Sequence, residues 1–349
     1  MFSVAVTKPG KIELVEVPKP EIGNYSVLVK NKVATLCNST DNKLIRGNFP
    51  GVENYPLLLG HETAGIVVEI GNEVKNFSIG DAVVGSLLLN PSNNKYNSGW
   101  GGFSEYTVIR DHEAMTEAGV ADKEHGWSEV NKIQLPVKED IPIEAAVLLC
   151  TWREVYSALE DFNIRNNKDI NNILIFGGGP VGLSFLKLLK LEEKNFVGLI
   201  DPHEYKRNRA INMGADRIYK PDDDLLIHIK NDLGFKLDAT IDAAGYEKII
   251  NQSLSLIRMN GKICVYGVID KSELKLTKEL APYNFNLLFH QWPTRELESA
   301  AHNPLIKLIQ KGSLKHENFI TAEFPINEIN NAIKATKKNN NLKILLRFD

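Results

Sequence analysis

The sequence predicts an α/β chain in two parts, a doubly wound parallel sheet joined to a second, mostly β domain, and three observations carry that prediction. Residues 11–17 alternate apolar and polar side chains with a period near two, and residues 26–33 do so more loosely, with turn residues between them. From Glu139 the pattern changes, and apolar helical stretches at 143–162 and 183–190 alternate with compact apolar runs at 173–176, 196–200, 239–242 and 262–266. That alternation is what βαβ units produce, because parallel strands need a crossover helix between them. Third, a glycine cluster, Gly177-Gly178-Gly179-Pro180-Val181-Gly182, stands between the first of those apolar runs and the helix that follows.

Composition sets the limits within which these elements must work. At 349 residues the chain exceeds one ordinary core, so two domains are expected. A hydrophobic share of 43% with 24% charged residues is that of a folded globular protein and far from the signature of disorder. The net charge of -3 excludes an extended nucleic-acid surface. No apolar run reaches the ~18 residues that span a bilayer, and Met1-Phe2-Ser3-Val4 leads straight into strand-like sequence, so a cytoplasmic protein without membrane contact is expected. Cys37, Cys150 and Cys264 are too few and too scattered to staple a fold, which leaves packing, metal or redox roles.

In chain order, the β half runs to about residue 150, where the helical and parallel-strand pattern takes over. After residue 289 comes a helical stretch at 295–310 and then short strands. The last run, 343–348, is apolar enough to be buried, but its pattern assigns it to neither domain. Residues 90–100 and 110–130 show no periodicity and read as loops, and the Asn clusters (Asn93 and Asn94; Asn339, Asn340 and Asn341) read as solvated surface.

The glycine cluster places Gly177, Gly179 and Gly182 in G-x-G-x-x-G spacing at a strand-to-helix turn. The first glycine permits the tight turn, the second lets the backbone approach a pyrophosphate, and the third allows the helix to pack closely on the strand. Pro180 and Val181 complete the loop, and the free N–H groups of the helix start would face the phosphates. The next apolar run ends at Asp201, where a carboxylate would accept hydrogen bonds from the adenosine ribose hydroxyls and repel a 2'-phosphate. NAD is therefore favoured over NADP, while Lys206 and Arg207 keep the opposite choice open.

Upstream, Gly60-His61-Glu62-Thr63-Ala64-Gly65 precedes a β-like stretch with Gly71 and Val74, and these residues fit G-H-E-x-x-G-x-x-x-x-x-G-x-x-V. In this the chain resembles the zinc-dependent medium-chain dehydrogenase/reductase family. The resemblance extends through Gly101-Gly102-Phe103-Ser104-Glu105-Tyr106, the glycine cluster, Asp242-Ala243-Ala244-Gly245 and the segment 261–268. It implies a GroES-like zinc catalytic domain made of residues 1–149 and 290–349 around a Rossmann NAD-binding domain at 150–289. It further implies cofactor contacts at Ala243, Gly267 and Val268, and at Lys343, which resembles a basic residue reaching the pyrophosphate.

For the metal, the resemblance implies one catalytic zinc held by Cys37, His61 and Cys150, with Glu62 adjacent; the rival set is Cys37, His61 and Glu62 plus water. The Cys37-Asn38-Ser39-Thr40-Asp41 segment is one residue longer than the family pattern. Thr40 takes the role of hydroxyl proton relay, Ser39 is its rival, and Asp41 is the acid that orients His61. Lys43 stands where some alcohol dehydrogenases place a proton-relaying histidine. The chain lacks the four close cysteines of a structural zinc. Cys264, inside an apolar run, reads as core, and the His112 to Trp127 segment as a shaper of the pocket or of an oligomer contact. Arg153, three residues past the third-ligand position and beside Trp152, is a candidate for an anionic or hydroxyl-rich substrate group. The implied activity is hydride transfer between an alcohol, polyol or sugar and NAD, in a homodimer or homotetramer. Two other readings remain: a zinc-free reductase acting on enones or quinones, and a non-catalytic NAD-binding protein.

Overall fold

The computed structural model describes residues 1–91, 95–338 and 340–348; Asn93, Asn94 and Asn339, read above as solvated surface, lie outside them. The chain divides into two compact units, Met1–Arg153 with Ser299–Asp349, and Glu154–Glu298. Both divisions fall later in the chain than the expected 149/150 and 289/290. The first lies inside one continuous helix, Ile143–Asp161, so no turn residue marks it in the sequence.

The second unit is built on six strands in the spatial order Arg217–Tyr219, Phe196–Ile200, Asn172–Phe176, Leu237–Asp242, Ile257–Val265 and Asn286–Phe289, all parallel. In chain order that is 3-2-1-4-5-6, the doubly wound Rossmann arrangement. The central strands are buried along their whole length because helices cover both faces; every residue of Phe196–Ile200 and of Leu237–Asp242 is buried. Cys264 is fully buried in the fifth strand.

In the first unit, a seven-stranded sheet centres on Ser26–Thr35, which pairs antiparallel with Thr63–Ile70, with Tyr106–Arg110 and with the C-terminal strand Lys343–Arg347. A four-stranded sheet carries the N-terminal hairpin of Phe2–Lys8 and Lys11–Glu16. The apolar tail that pattern alone could not place thus closes the N-terminal sheet. Ile344 and Leu346 join Val4, Leu36, Leu44, Leu57 and Phe103 in one core cluster.

The stretch 110–130 is not the loop expected of it. Tyr106–Arg110 is a strand, His112–Glu117 is a helix whose N-cap Asp111 accepts a hydrogen bond from the Ala114 N–H, and Glu129–Ile133 is a 3-10 helix. Elements of five or six residues are too short to display a period. Among the described residues, no helix is long and apolar enough to cross a membrane.

Candidate active site

The sheet register of the first unit delivers three chemically distinct side chains to one place. Thr35, at the end of the central strand, donates its N–H to the Glu62 carbonyl at 3.0 Å, and Leu36 donates to the Ile344 carbonyl at 3.1 Å. Cys37 follows directly, so it emerges between the His61-Glu62 segment and the C-terminal strand that begins at Lys343. The turn before His61 requires glycine: Gly60 has φ 108°, and a Cβ there would stand 2.3 Å from the Phe103 ring.

Asp41 organises this cluster from behind. It lies in the first turn of the helix Thr40–Arg46 and is buried. Its Oδ2 accepts the Cys37 backbone N–H at 2.8 Å, and its Oδ1 lies 3.3 Å from His61 Nδ1. The Cys37 thiol, a His61 ring nitrogen and a Glu62 carboxylate oxygen all lie within 4.8 Å of one another, the one such group of potential ligands among the described residues. Burial alone would lower the His61 pKa, but the Asp41 carboxylate, and then Cys37, outweigh it and hold it well above the ordinary value. The site thus favours positive charge at its centre.

The donor set fits zinc. A thiolate, an imidazole and a carboxylate are its usual ligands, and bonds of about 2.0–2.3 Å place tetrahedral donors roughly 3.5 Å apart, within the observed spacing. Asp41, with Oδ1 3.3 Å from His61 Nδ1, is a carboxylate of the kind that such a ligand ordinarily has as its outer partner.

Glu62 is buried and held on all sides. The Lys343 ammonium donates to both carboxylate oxygens, at 2.5 Å to Oε1, while Thr35 donates to Oε2 and Thr151 to Oε1 at 3.1 Å. Burial pushes its pKa up, but the charges of Lys343 and His61 and these hydrogen bonds lower it overall, so Glu62 is ionised. Lys343, expected at the cofactor pyrophosphate, is instead 4% exposed and engaged with Glu62. The physical reason is the register of the closing strand, which turns its first residue toward Glu62 and not toward solvent.

Other expectations are met differently. Cys150 is half-buried on the helix Ile143–Asp161, its thiol 3.9 Å from the Thr63 carbonyl and outside the Cys37, His61 and Glu62 group. The same helix touches the group through the next residue, Thr151. Sequence reasoning missed both Thr35 and Thr151, since neither belongs to a motif and only strand and helix placement aims them at Glu62. Thr40 is half-buried at the start of its helix, whereas Ser39 is exposed. Arg153 cannot meet a substrate: it is 0% exposed and donates to the Ile133 and Leu149 carbonyls at 2.7 and 3.2 Å. It lies on the buried face of its helix, where those carbonyls take up its guanidinium donors.

In the second unit, Gly177 has φ 103° and Gly182 packs so closely that a Cβ would lie 1.8 Å from the Gly177 carbonyl oxygen. The turn leads into the helix Pro180–Leu191, with Gly179 as N-cap and Pro180 opening the first turn. Ala243 donates its N–H to the Phe176 carbonyl, and Gly267 to that of Asp242. These residues and the exposed Val268 thus stand at the C-terminal edge of the sheet, where strand order reverses between Asn172–Phe176 and Leu237–Asp242. A doubly wound sheet binds its ligand at that point. Asp242 accepts N–H bonds from Ala244, Gly245 and Tyr246, and burial raises its pKa against them. Asp201 is buried at the end of the second strand, with Lys206 Nζ 4.0 Å away.

Residues 23–118 match the alcohol dehydrogenase GroES-like domain, and residues 180–291 match the zinc-binding dehydrogenase family. The chain is 23% identical to the sorbitol dehydrogenase of Bombyx mori, over 96% of this chain and 95% of that protein. It is 25% identical to the L-threonine 3-dehydrogenase of Shewanella frigidimarina over the full length of both. Among solved structures, a chain described as a short chain alcohol dehydrogenase (rspB) from E. coli CFT073, complexed with NADH, superposes with a TM-score of 0.80 at 21% identity, covering 100% of this chain and 99% of that one.

Proposed function

Since the chain belongs to the zinc-dependent medium-chain dehydrogenase family, we propose that it oxidises a hydroxyl-rich secondary alcohol, a polyol or sugar, with NAD as hydride acceptor. The observation that carries this reading is the convergence of Cys37, His61 and Glu62, with Asp41 behind two of them. We assign zinc to those three side chains plus water, with Cys150 outside the shell. When bound, zinc supplies Lewis acidity toward the substrate hydroxyl and the nicotinamide accepts the hydride.

The remaining steps belong to the protein. Asp41, 3.3 Å from Nδ1, would orient the His61 ring and leave Nε2 as the ligand nitrogen. Lys343, Thr35 and Thr151 keep Glu62 ionised and oriented. Thr40, half-buried and one residue before Asp41, relays the hydroxyl proton outward, a role for which the exposed Ser39 is less suited. Gly177, Gly179, Pro180, Val181 and Gly182 receive the pyrophosphate, with Ala243, Gly267 and Val268 beside it, and Asp201 receives the adenosine ribose. Sorbitol and L-threonine, named in the relatives, each carry the reacting carbinol next to another polar group. That favours a substrate with vicinal polar groups over a simple alcohol.

The test is NADH formation across a panel of polyols, sugars, amino alcohols and simple alcohols at mildly alkaline pH, before and after chelation. The expected result is turnover of a vicinal polyol or sugar that chelation abolishes and zinc restores. Turnover of enones or quinones that persists after chelation would instead support a zinc-free reductase.

A further inference from the structure

Asp201 is not a free carboxylate waiting for a ribose. Its Oδ2 accepts the Gly178 N–H at 2.7 Å, and its Oδ1 accepts two hydrogen bonds from His203, from the backbone N–H at 2.8 Å and from ring Nδ1 at 3.0 Å. A carboxylate only accepts, so the His203 proton resides on Nδ1 whether the ring is neutral or charged. Lys206 Nζ stands 4.0 Å from Oδ2. Arg207 donates from Nη1 to the carbonyls of Asp201 and Pro202, at 2.8 Å each, which fixes the guanidinium on the same turn. The Asp201 side chain is 5% exposed, while His203 and Lys206 keep 34% and 20% of their side-chain surface. Solvent at this corner therefore meets cationic and N–H-bearing groups before it meets the carboxylate.

We propose that His203 is a specificity-determining residue that relaxes the discrimination between NAD and NADP by occupying Asp201 Oδ1, while Lys206 offers a donor to a 2'-phosphate. The proposal rests on the reading of the glycine turn as a dinucleotide site. Two ribose hydroxyls compete with the His203 ring for the carboxylate, so the ring lowers affinity for the unphosphorylated ribose. A 2'-phosphate needs no acceptor at Asp201. It is an acceptor itself, matched by the partly exposed Lys206 ammonium. The carboxylate that would repel it has its charge spread over three N–H donors and a neighbouring ammonium.

Calorimetric binding of 5'-ADP and of 2',5'-ADP, which differ only in the 2'-phosphate, tests this without substrate, metal or turnover. For the unaltered chain the two dissociation constants are expected within about tenfold of each other, the worth of one charge-assisted hydrogen bond. His203→Ala frees Oδ1 for the ribose hydroxyls, so it should shift the ratio about tenfold toward 5'-ADP. Lys206→Ala should weaken 2',5'-ADP alone. His203→Gln, whose amide N–H groups can still occupy Oδ1, should restore part of the unaltered ratio, a rescue that a merely structural histidine would not show. If both nucleotides bind and His203→Ala leaves their ratio unchanged, the proposal is overturned while the dinucleotide site stands. If the unaltered chain binds neither, the dinucleotide reading falls and the proposal with it.

Discussion

Arg153 and His302 share a buried contact that makes the stability of the first unit depend on acid. The His302 ring donates from Nε2 to the Pro136 carbonyl at 3.0 Å and presents Nδ1 to the Arg153 guanidinium at 3.5 Å. Burial, and then the Arg153 charge, push its pKa down from 6.5 to about 4. In the folded chain His302 is thus neutral down to about pH 4, whereas in the unfolded chain it takes a proton near 6.5. Between those values the unfolded state binds more protons, so stability is complete above pH 6.5 and falls as pH drops toward 4. The loss over that window is about 3 kcal/mol. Denaturant titrations between pH 4 and 7 should show it, and His302→Asn, which does not titrate there, should flatten the slope. An unchanged slope in the variant would remove His302 as the cause. The same contact explains why Arg153, a candidate for substrate from its position in the sequence, serves the fold instead.

At the scale of elements, the glycine turn is the most constrained segment of the second unit. The strand Asn172–Phe176 must hand over to the helix Pro180–Leu191 without a side chain at Gly182, because the Gly177 carbonyl already occupies that space. Gly182→Ala should therefore push the helix off the strand. Overpacking of this kind costs about 1–3 kcal/mol, so the variant should fold, melt several degrees lower and lose 5'-ADP binding. Retained nucleotide affinity would show that the turn does not shape the phosphate site.

Elements of this kind were legible because they repeat a pattern over enough residues. The apolar runs 173–176 and 196–200 announced parallel strands that are buried on both faces. The six-residue helix His112–Glu117 left no such trace, and its cap, Asp111, is recognisable only once its partner Ala114 is known. The C-terminal strand was legible as buried but not as a neighbour of Thr35, since antiparallel pairing across the length of the chain leaves no local signal.

At the scale of the whole molecule, the candidate metal centre exists because residues distant in sequence are brought into one unit. Glu62 and Lys343 stand 281 positions apart and share a buried ion pair. Removing two ions from water costs several kcal/mol each, and the hydroxyls of Thr35 and Thr151 help offset it by donating further hydrogen bonds to the carboxylate. His61, Glu62 and Cys37 could be read from the sequence because they lie in motifs. The role of Lys343 could not, because it depends on which strand the tail joins. The contact of Thr151 with Glu62 was equally beyond the sequence, since it depends on which residues of the helix Ile143–Asp161 face the strand after His61.

The central claim is that zinc is held by Cys37, His61 and Glu62 and not by Cys150. Zinc K-edge X-ray absorption of the zinc-loaded protein counts sulfur ligands directly. The predicted spectrum has one sulfur at about 2.3 Å, with the other ligands nitrogen or oxygen near 2.0–2.2 Å, and is unchanged in Cys150→Ser. Two sulfurs in the unaltered protein, falling to one in Cys150→Ser, would place Cys150 in the shell and contradict the assignment.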